Sequence, residues 1–450
     1  MGTSVTQSTR IPTTLRNERQ FLLLITGQTI SSAGNAVAPI AIAFAVLQLT
    51  GSAGDLGLVV AGRSAALAVC VLFGGVLADR IPRQVVLIGG ALIAGVSEAA
   101  TAALLLSHTA RIGEVAVLQV VNGATSAFVF PAAQGALPQS VSAEHLHRAN
   151  VVSRMCGNAT SILGAAVGGI LVAAAGPGWA VAGDSATFFA SAAFFGLLRL
   201  ARVTRNASEA ETGTETDDSG AAEKSGIFHE LAVGWADFRS RTWLWSIVLQ
   251  FCFVNVAIGG VVDVLGPLTA KMDLGGAHAW GLIMSAFSAG FLVGGLLASR
   301  LRYVRRPLLI ATFGSLFMGP FLALIAIPAV LPVLCLGSFA AGIGTEVFGV
   351  EWSVTLQRQV PADRLARVVS YDMLGSIVCL PLGQAVIGIT QSAVGLRTSV
   401  LICVGLAVVP SLAVLGVRDV RTLAGETRQP ATTQRGDRID SRSAMFVVRV

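Results

Sequence analysis

Long apolar stretches separated by short polar connections are the dominant pattern of this 450-residue chain. A helix rises 1.5 Å per residue, so about 20 apolar residues cross the roughly 30 Å hydrocarbon core of a bilayer. The pattern predicts twelve such spans, the eleventh of which carries Asp372 near its start. Their predicted limits are 21–48, 56–78, 85–107, 113–137, 152–175, 180–198, 243–268, 279–299, 307–328, 332–356, 370–391 and 397–417. We therefore expect an all-α integral membrane protein.

Basic residues lie almost entirely on one side of these spans. With both termini on the inner side, only Arg111, Lys271 and Arg397 of the 31 Lys and Arg residues fall on the outer side. Arg63 falls within a span, which leaves 27 on the inner side. Cytoplasmic loops carry such an excess of Lys and Arg. The pattern predicts a multi-pass protein with both termini in the cytoplasm.

Composition narrows the class of protein. Hydrophobic residues make up 54% of the chain and charged residues 12%, whereas soluble domains carry about 25% charged residues. This excludes soluble enzymes and nucleic-acid-binding proteins, and the net charge of +6 reflects membrane orientation. The six cysteines lack Cys-x-x-Cys spacing, so no metal site or disulfide framework is expected. No Gly-Lys-Ser/Thr sequence is present, so we expect neither ATP binding nor a cofactor.

Two polar segments divide the chain into domains. Residues 201–241 are rich in Thr, Ser, Gly and acidic residues, a composition typical of a flexible linker. Residues 419–450 form a similarly polar tail. We expect a cytoplasmic segment at 1–20, six-helix bundles at 21–200 and 242–418, the cytoplasmic linker between them, and the cytoplasmic tail.

The two predicted bundles resemble each other in sequence. The end of span 2, Gly-Val-Leu-Ala-Asp-Arg from Gly75, matches Gly-Leu-Leu-Ala-Ser-Arg from Gly295, 220 residues later. The segment after span 4, which begins at Val141, matches the one that begins at Val360 at an offset of 219. Internal repeats of six spans are typical of secondary transporters, which bind substrate at the midplane between the repeats.

The loop after span 2 resembles the G-x-x-x-D-R-x-x-R signature of the major facilitator superfamily, with Gly75, Asp79, Arg80 and Arg83 at the signature positions. Segments 27–34 and 360–372 resemble the bacterial efflux branch related to enterobactin and macrolide exporters. The resemblance implies twelve helices in two pseudo-symmetric bundles. It also implies that the four signature residues form a latch controlling conformation; the alternative is a charged loop that only sets topology.

Gly164, Gly168 and Gly169 in span 5 resemble the G-P-x-x-G-G signature of drug:proton antiporters, with Ala165 in place of Pro. The alternative is that these glycines only allow close helix packing.

Ionisable residues inside spans are functional candidates because each costs several kcal/mol in hydrocarbon. Arg63 and Glu98 fall at similar depth, so they form either a structural ion pair or part of a proton relay. Glu346 in span 10 is the first candidate for proton coupling. Asp263 in span 7 is a further candidate. It lies near the outer end of its span, as Asp184 does in span 6, so the alternative for both is a hydrated cap, an acid that contacts water at the end of its helix.

Polar residues of the spans that line the cavity in the superfamily predict the substrate site. Gln28, Ser31 and Asn35 are spaced by three and four residues and so share one face of span 1. The other candidates for the cavity are Asn122, Asn255 and Glu346.

These features together predict a transporter working by alternating access. We expect it to export a small apolar or amphipathic compound, such as a drug, antibiotic or siderophore-like molecule, in exchange for protons. We place it as a monomer in the lipid bilayer of a bacterial inner membrane. An uptake permease of the same fold and a non-transporting membrane sensor are the alternatives.

Overall fold

The computed structural model describes residues 18–78, 81–199, 238–300, 305–327, 329–360 and 362–423. Twelve long helical segments in this part of the chain correspond to the twelve predicted spans. They are α1 Arg19–Thr50, α2 Ala53–Ala78, α3 Arg83–Leu106, α4 Ile112–Ser140, α5 Leu146–Ala175, α6 Pro177–Gly196, α7 Thr242–Asp273, α8 Ala277–Arg300, α9 Pro307–Ala326, α10 Leu331–Gln359, α11 Ala362–Val394 and α12 Leu396–Leu415, followed by the short α13 Arg418–Thr422.

Ten of these helices, among the described residues, are long and apolar enough to cross a membrane. The other two are α6, which carries Asp184 among small residues, and α11, whose apolar part is Val378–Val394. The α11 helix begins well before its predicted limit and includes Asp372. A π-helical segment, Val261–Leu265, interrupts α7.

The helices pack in two equivalent bundles. In the N-terminal half, the main contacts are α1 with α5 and α6, α2 with α4, and α3 with α4 and α6. Adding six to each number gives the main contacts of the C-terminal half: α7 with α11 and α12, α8 with α10, and α9 with α10 and α12. This is the pseudo-symmetric, twelve-helix architecture that the sequence repeat and the resemblance predict. Most of the predicted linker, the first 17 residues and the tail after Leu423 lie outside the described residues.

The two halves join through α2 with α11 and α5 with α8. We call the end of the bundle where α1 begins and α12 ends the terminal face, and the opposite end the far face. Gly57 and Gly388 meet near the far ends of α2 and α11, and Gly169 and Gly281 meet near the far ends of α5 and α8. Lys271 on α7 donates a hydrogen bond to the Leu47 carbonyl at the far end of α1.

The buried apolar residues also show that the two halves are in contact at the far face and apart at the terminal face. One large cluster combines residues of both halves, such as Leu47 with Leu265 and Val172 with Trp280, toward the far face. Toward the terminal face, the N-terminal half has its own cluster around Phe21 and Leu87, and the C-terminal half has a separate one around Trp243. The halves therefore share one core at the far face and have separate cores at the terminal face.

Glu18 connects the start of α1 to the α4–α5 connection at the terminal face. Its carboxylate accepts hydrogen bonds from the Ser142 hydroxyl at 2.7 Å and the Ser142 backbone N–H at 3.0 Å, and lies 2.9 Å from His145 Nδ1. Partial burial by itself raises the pKa of Glu18, but the hydrogen bonds from Ser142 and His145 and the charge of His145 lower this pKa overall.

Replacing Glu18 with alanine is expected to lower stability at pH 7 by about 1 kcal/mol, or roughly 2 °C in the unfolding midpoint. Because the pKa of Glu18 is lowered by folding, its stabilisation is present above the ordinary value of 4.5 and is lost as the pH falls through the folded value. Thermal unfolding at pH 7 and well below pH 4.5 checks this. Glu144→Ala, in the same loop, is the control; equal midpoint shifts at both pH values would contradict the assignment.

Candidate transport cavity and buried charges

A cavity of about 410 Å³ lies within the N-terminal half, between α1, α3, α4, α5 and α6. The predicted stripe of Gln28, Ser31 and Asn35 lines it. Asn35 is oriented by its own helix, since its Nδ2 donates to the Ser31 carbonyl at 3.0 Å. The remaining polar lining side chains are uncharged, and aromatic ones complete the wall: Thr29, Ser32, Thr125, Ser126, Gln134, Ser153, Phe130, Phe188 and Phe195. The cavity therefore offers hydrogen bonds and aromatic surface without a fixed charge.

Three other predicted cavity residues lie elsewhere. Asn122 is 1% exposed and points into the helix interface between α3 and α4. Asn255 donates from Nδ2 to the Ser376 carbonyl at 3.2 Å and so links α7 to α11. Glu346 lies against α8, where a Cβ added to Gly295 would be 3.5 Å from Glu346 Oε1. None of the three is among the residues that line the 410 Å³ cavity.

Glu98 is buried within the N-terminal half, at 0% exposure. Its Oε1 accepts hydrogen bonds from Gln119 Nε2 at 3.1 Å and Asn122 Nδ2 at 2.9 Å. Its Oε2 has no hydrogen-bond partner among the described residues. Asp184 on α6 is 2% exposed and packs against Gly34 of α1, so it is not the hydrated cap that was the alternative from sequence.

Asp263 lies at the contact between the halves. Its Oδ2 accepts a hydrogen bond from Gln384 Nε2 on α11 at 2.7 Å, and the π segment that carries it packs against α2. Arg63 on α2 acts electrostatically on Asp263 and also on Glu98 and Asp184. Within the described part of the chain, no ion pair within 4.0 Å joins Arg63 to these carboxylates. One guanidinium is thus the shared countercharge of acids in both halves.

These polar residues form one layer. Arg63, Asn122, Asp263 and Gln384 each lie ten residues from the far end of their helix, and Glu98 lies eight residues from its far end. At 1.5 Å per residue the layer is about 12 to 15 Å below the far face. Gln119 and Asp184 each lie seven residues from the far end of their helix and so are slightly closer to the far face. Gln119, Asp184 and Gln384 were not grouped with the other polar residues from the sequence, and the available signal was a polar residue seven to ten positions from the far end of its span.

Comparison with known proteins identifies the family. The profile of the Major Facilitator Superfamily matches residues 24–275, which is more than half of the chain. The chain belongs to the Major Facilitator Superfamily. It is therefore a membrane transporter and not an enzyme.

Relatives in this superfamily share about a quarter of their residues with the chain. It is 26% identical to the uncharacterized MFS-type transporter YfiS of Bacillus subtilis over 86% of this chain and 90% of that protein. It is also 26% identical to the multidrug efflux pump Tap of Mycolicibacterium fortuitum, over 85% and 91%. The enterobactin exporter EntS of Salmonella typhi is 23% identical over 83% and 86%.

Solved structures of this superfamily share the fold. The nucleoside transporter NupG aligns with a TM-score of 0.67 at 15% identity, over 88% of this chain and 98% of that one. A bacterial homologue of the lysosomal transporter Spinster aligns with a TM-score of 0.65 at 16% identity, over 90% and 98%.

The superfamily signature loop is described only in part. Asp79 and Arg80 lie outside the described residues, and Gly75 lies within α2. Arg83 donates a hydrogen bond to the Gly135 carbonyl of α4, and Gln84 Nε2 donates to the Leu198 carbonyl at 2.6 Å. These two residues therefore hold the start of α3 against α4 and the end of α6. The latch role of the loop stays a prediction.

All three glycines of the antiporter-like segment lie at helix contacts. A Cβ at Gly164 would be 2.5 Å from Ala36 Cβ, and one at Gly168 would be 3.0 Å from Val37 Cα, both on α1. A Cβ at Gly169 would be 2.7 Å from the Ala277 carbonyl oxygen of α8. The first two glycines thus pack α5 within its own half, and the third packs it across the halves.

Proposed function

We propose that this major facilitator exports a small apolar or amphipathic compound from a bacterial cytoplasm in exchange for protons. The observation that carries the proposal is a cavity without fixed charge, located beneath a far face at which both interfaces between the halves are closed. The basic residues favour cytoplasmic termini. With that orientation the terminal face is cytoplasmic and the structure is inward-facing, ready to accept cargo from the cytoplasm.

The lining of the cavity supports this class of cargo. A charged compound would find no countercharge in the lining, whereas a neutral one finds hydroxyl and amide partners together with the rings of Phe130, Phe188 and Phe195. The volume of about 410 Å³ lies within the range of pockets for drug-sized ligands. Two relatives are a multidrug efflux pump and an enterobactin exporter, which favours export.

Proton coupling is proposed for Asp263 with Arg63. In the closed far-face interface the positive charge of Arg63 attracts the ionised form of Asp263. Asp263 lies in this interface, so its carboxylate meets the outside only when the far face opens and α2 moves away from α7, and we place its proton exchange with the outside in that state. Glu98 is enclosed within one half, so its surroundings change less between the two states. Glu346 on α10 interacts electrostatically with Arg154 on α5 of the other half, and it is therefore the second candidate for proton coupling.

An uptake permease is the second candidate, because a neutral hydrogen-bonding cavity also suits a nutrient. A non-transporting sensor is the third. Accumulation of a panel of apolar antibiotics and dyes, in an efflux-deficient bacterium with and without a protonophore, separates them. Export predicts lower accumulation that the protonophore restores. Higher accumulation favours uptake, and no change for any compound or nutrient favours a sensor.

Gly157→Phe provides the matched test of the cavity. Gly157 lines the cavity, and a Cβ there meets nothing within 4 Å, so the helix tolerates the side chain while the ring occupies the cavity. We expect export to fall by at least about tenfold, because the ring displaces the cargo. Gly405→Phe is the control, since its Cβ also meets nothing within 4 Å and it does not line the cavity. Equal export by both variants would contradict the cavity assignment.

A further inference from the structure

A second cavity, of about 200 Å³, lies in the C-terminal half between α7, α8, α10 and α11. Four aromatic side chains line it: Phe251, Phe291, Phe348 and Trp352. Asp372 is the one carboxylate in its lining, and Thr345 and Ser376 add hydroxyl groups. This composition differs from that of the uncharged cavity in the N-terminal half.

The aromatic rings form a continuous wall. Phe251 and Phe348 stack with their centroids 4.6 Å apart and their planes 4° apart. Trp352 continues the stack, with its centroid 6.4 Å from that of Phe348 and an interplanar angle of 16°. Phe348 is 3% exposed and Trp352 is 8% exposed, so packing holds both rings in place. We call these three rings the aromatic wall.

Asp372 is hydrogen-bonded to Trp352, at one end of the aromatic wall. Its Oδ2 accepts a hydrogen bond from Trp352 Nε1 at 3.0 Å. The residue lies ten positions from the start of α11, about 15 Å along the helix from the terminal face. Within the described part of the chain, no Lys, Arg or His forms an ion pair with it. A carboxylate at this depth is costly without a countercharge.

An amphipathic cation would complement both features of this cavity. Phe348 and Trp352 stack against neighbouring rings and are 3% and 8% exposed, so the wall supplies apolar surface for the body of a ligand and not free ring faces for its charge. Asp372 would provide the opposite full charge beside the same rings, and the apolar body of the ligand would lie on the aromatic wall. A purely structural Asp372, which only accepts the indole hydrogen bond, would leave the cavity without such a preference.

We propose that the cavity of the C-terminal half is a subsite for a monovalent organic cation with an apolar or aromatic body. The positive group lies beside Asp372 and the body lies on the aromatic wall. This inference rests on the proposed function as a transporter of amphipathic compounds, and it adds to the cargo compounds that carry one positive charge, whose charged group would lie in this subsite and not in the uncharged cavity.

Binding of tritiated phenyltrimethylammonium to the purified full-length protein in lipid nanodiscs tests the subsite. The neutral isostere tert-butylbenzene is the competitor, since it has the same shape without the charge. We expect the cation to bind at least about tenfold more tightly than the isostere. Asp372→Asn keeps an oxygen that accepts the Trp352 hydrogen bond but removes the charge. It should weaken cation binding by at least about tenfold while leaving the isostere unaffected.

Asp419→Asn, an exposed acid on α13, is the control and should bind the cation as the wild type does. Failure of the wild type to prefer the cation, or unchanged cation binding in Asp372→Asn, would overturn the proposal. If Asp372→Asn does not fold, Phe251→Leu is the variant that tests the subsite. Unchanged cation binding in Phe251→Leu would then overturn the proposal. Export of neutral compounds without cation binding would reject only the subsite. Cation binding without any export would reject only the proposed function.

Discussion

Gly57→Ala is expected to reduce transport by at least about tenfold and to open the far face. A Cβ at Gly57 would overlap the Gln384 carbonyl oxygen and lie 3.3 Å from Gly388 Cα, so α2 and α11 cannot remain at their present separation. Overpacking of this kind costs about 1 to 3 kcal/mol, which corresponds to roughly a 5- to 150-fold shift in a conformational equilibrium. Hydrogen exchange measured by mass spectrometry should increase at the far ends of α2 and α11.

Gly54→Ala is the matched control on the same helix. A Cβ there would lie 3.4 Å from Ser52 Oγ and 3.7 Å from the Gly388 carbonyl oxygen, which are ordinary contacts. Both variants exchange glycine for alanine in α2, so any gain in helix propensity is the same. If Gly57→Ala transports and exchanges hydrogen as Gly54→Ala does, close contact of α2 with α11 is not required for the transport cycle.

Asp263→Asn is expected to abolish proton-driven transport while leaving exchange of cargo between two pools intact. The amide oxygen can still accept the hydrogen bond from Gln384, so the contact with α11 is preserved. The variant cannot bind or release a proton and no longer attracts Arg63. Transport into proteoliposomes measured over a range of external pH values should therefore lose its pH dependence, with a fall of at least about tenfold under a proton gradient.

Asp273→Asn is the control for this change, because it removes an exposed acid from the far end of the same helix. It should retain the full pH dependence of the wild type. Retention of that dependence by Asp263→Asn would transfer the coupling role to another acid. Glu98→Gln and Glu346→Gln, measured in parallel, would then identify which of the two carries the proton.

Part of the cavity could be predicted from the sequence because helix geometry is local. Residues three and four positions apart share a face, and Gln28, Ser31 and Asn35 accordingly line one cavity. Asn122 and Glu346 were expected in the same place, but neither lines it. Which neighbour a polar face meets depends on helices distant in the chain. Periodicity within a single helix holds no information about them.

The interaction between Arg63 and Glu98 also could be predicted only in part from the sequence. Their similar depth could be read from the spans, and the electrostatic interaction exists, but without a direct ion pair. Two amides from α4 take the place of the expected guanidinium contact at Glu98. The interaction of Arg63 with Asp263, between residues 200 positions apart, required the packing of α2 against α7.

The sequence by itself determined the number of spans, the two repeated halves and the superfamily. Backbone groups in a bilayer must be satisfied within each span, so apolar length alone predicts the helices. The tertiary structure alone decided which face is closed, where the uncharged and the aromatic cavities lie, and how acids of both halves share one arginine. In the absence of a hydrophobic force between helices in lipid, these features depend on glycine contacts and polar pairs between distant segments.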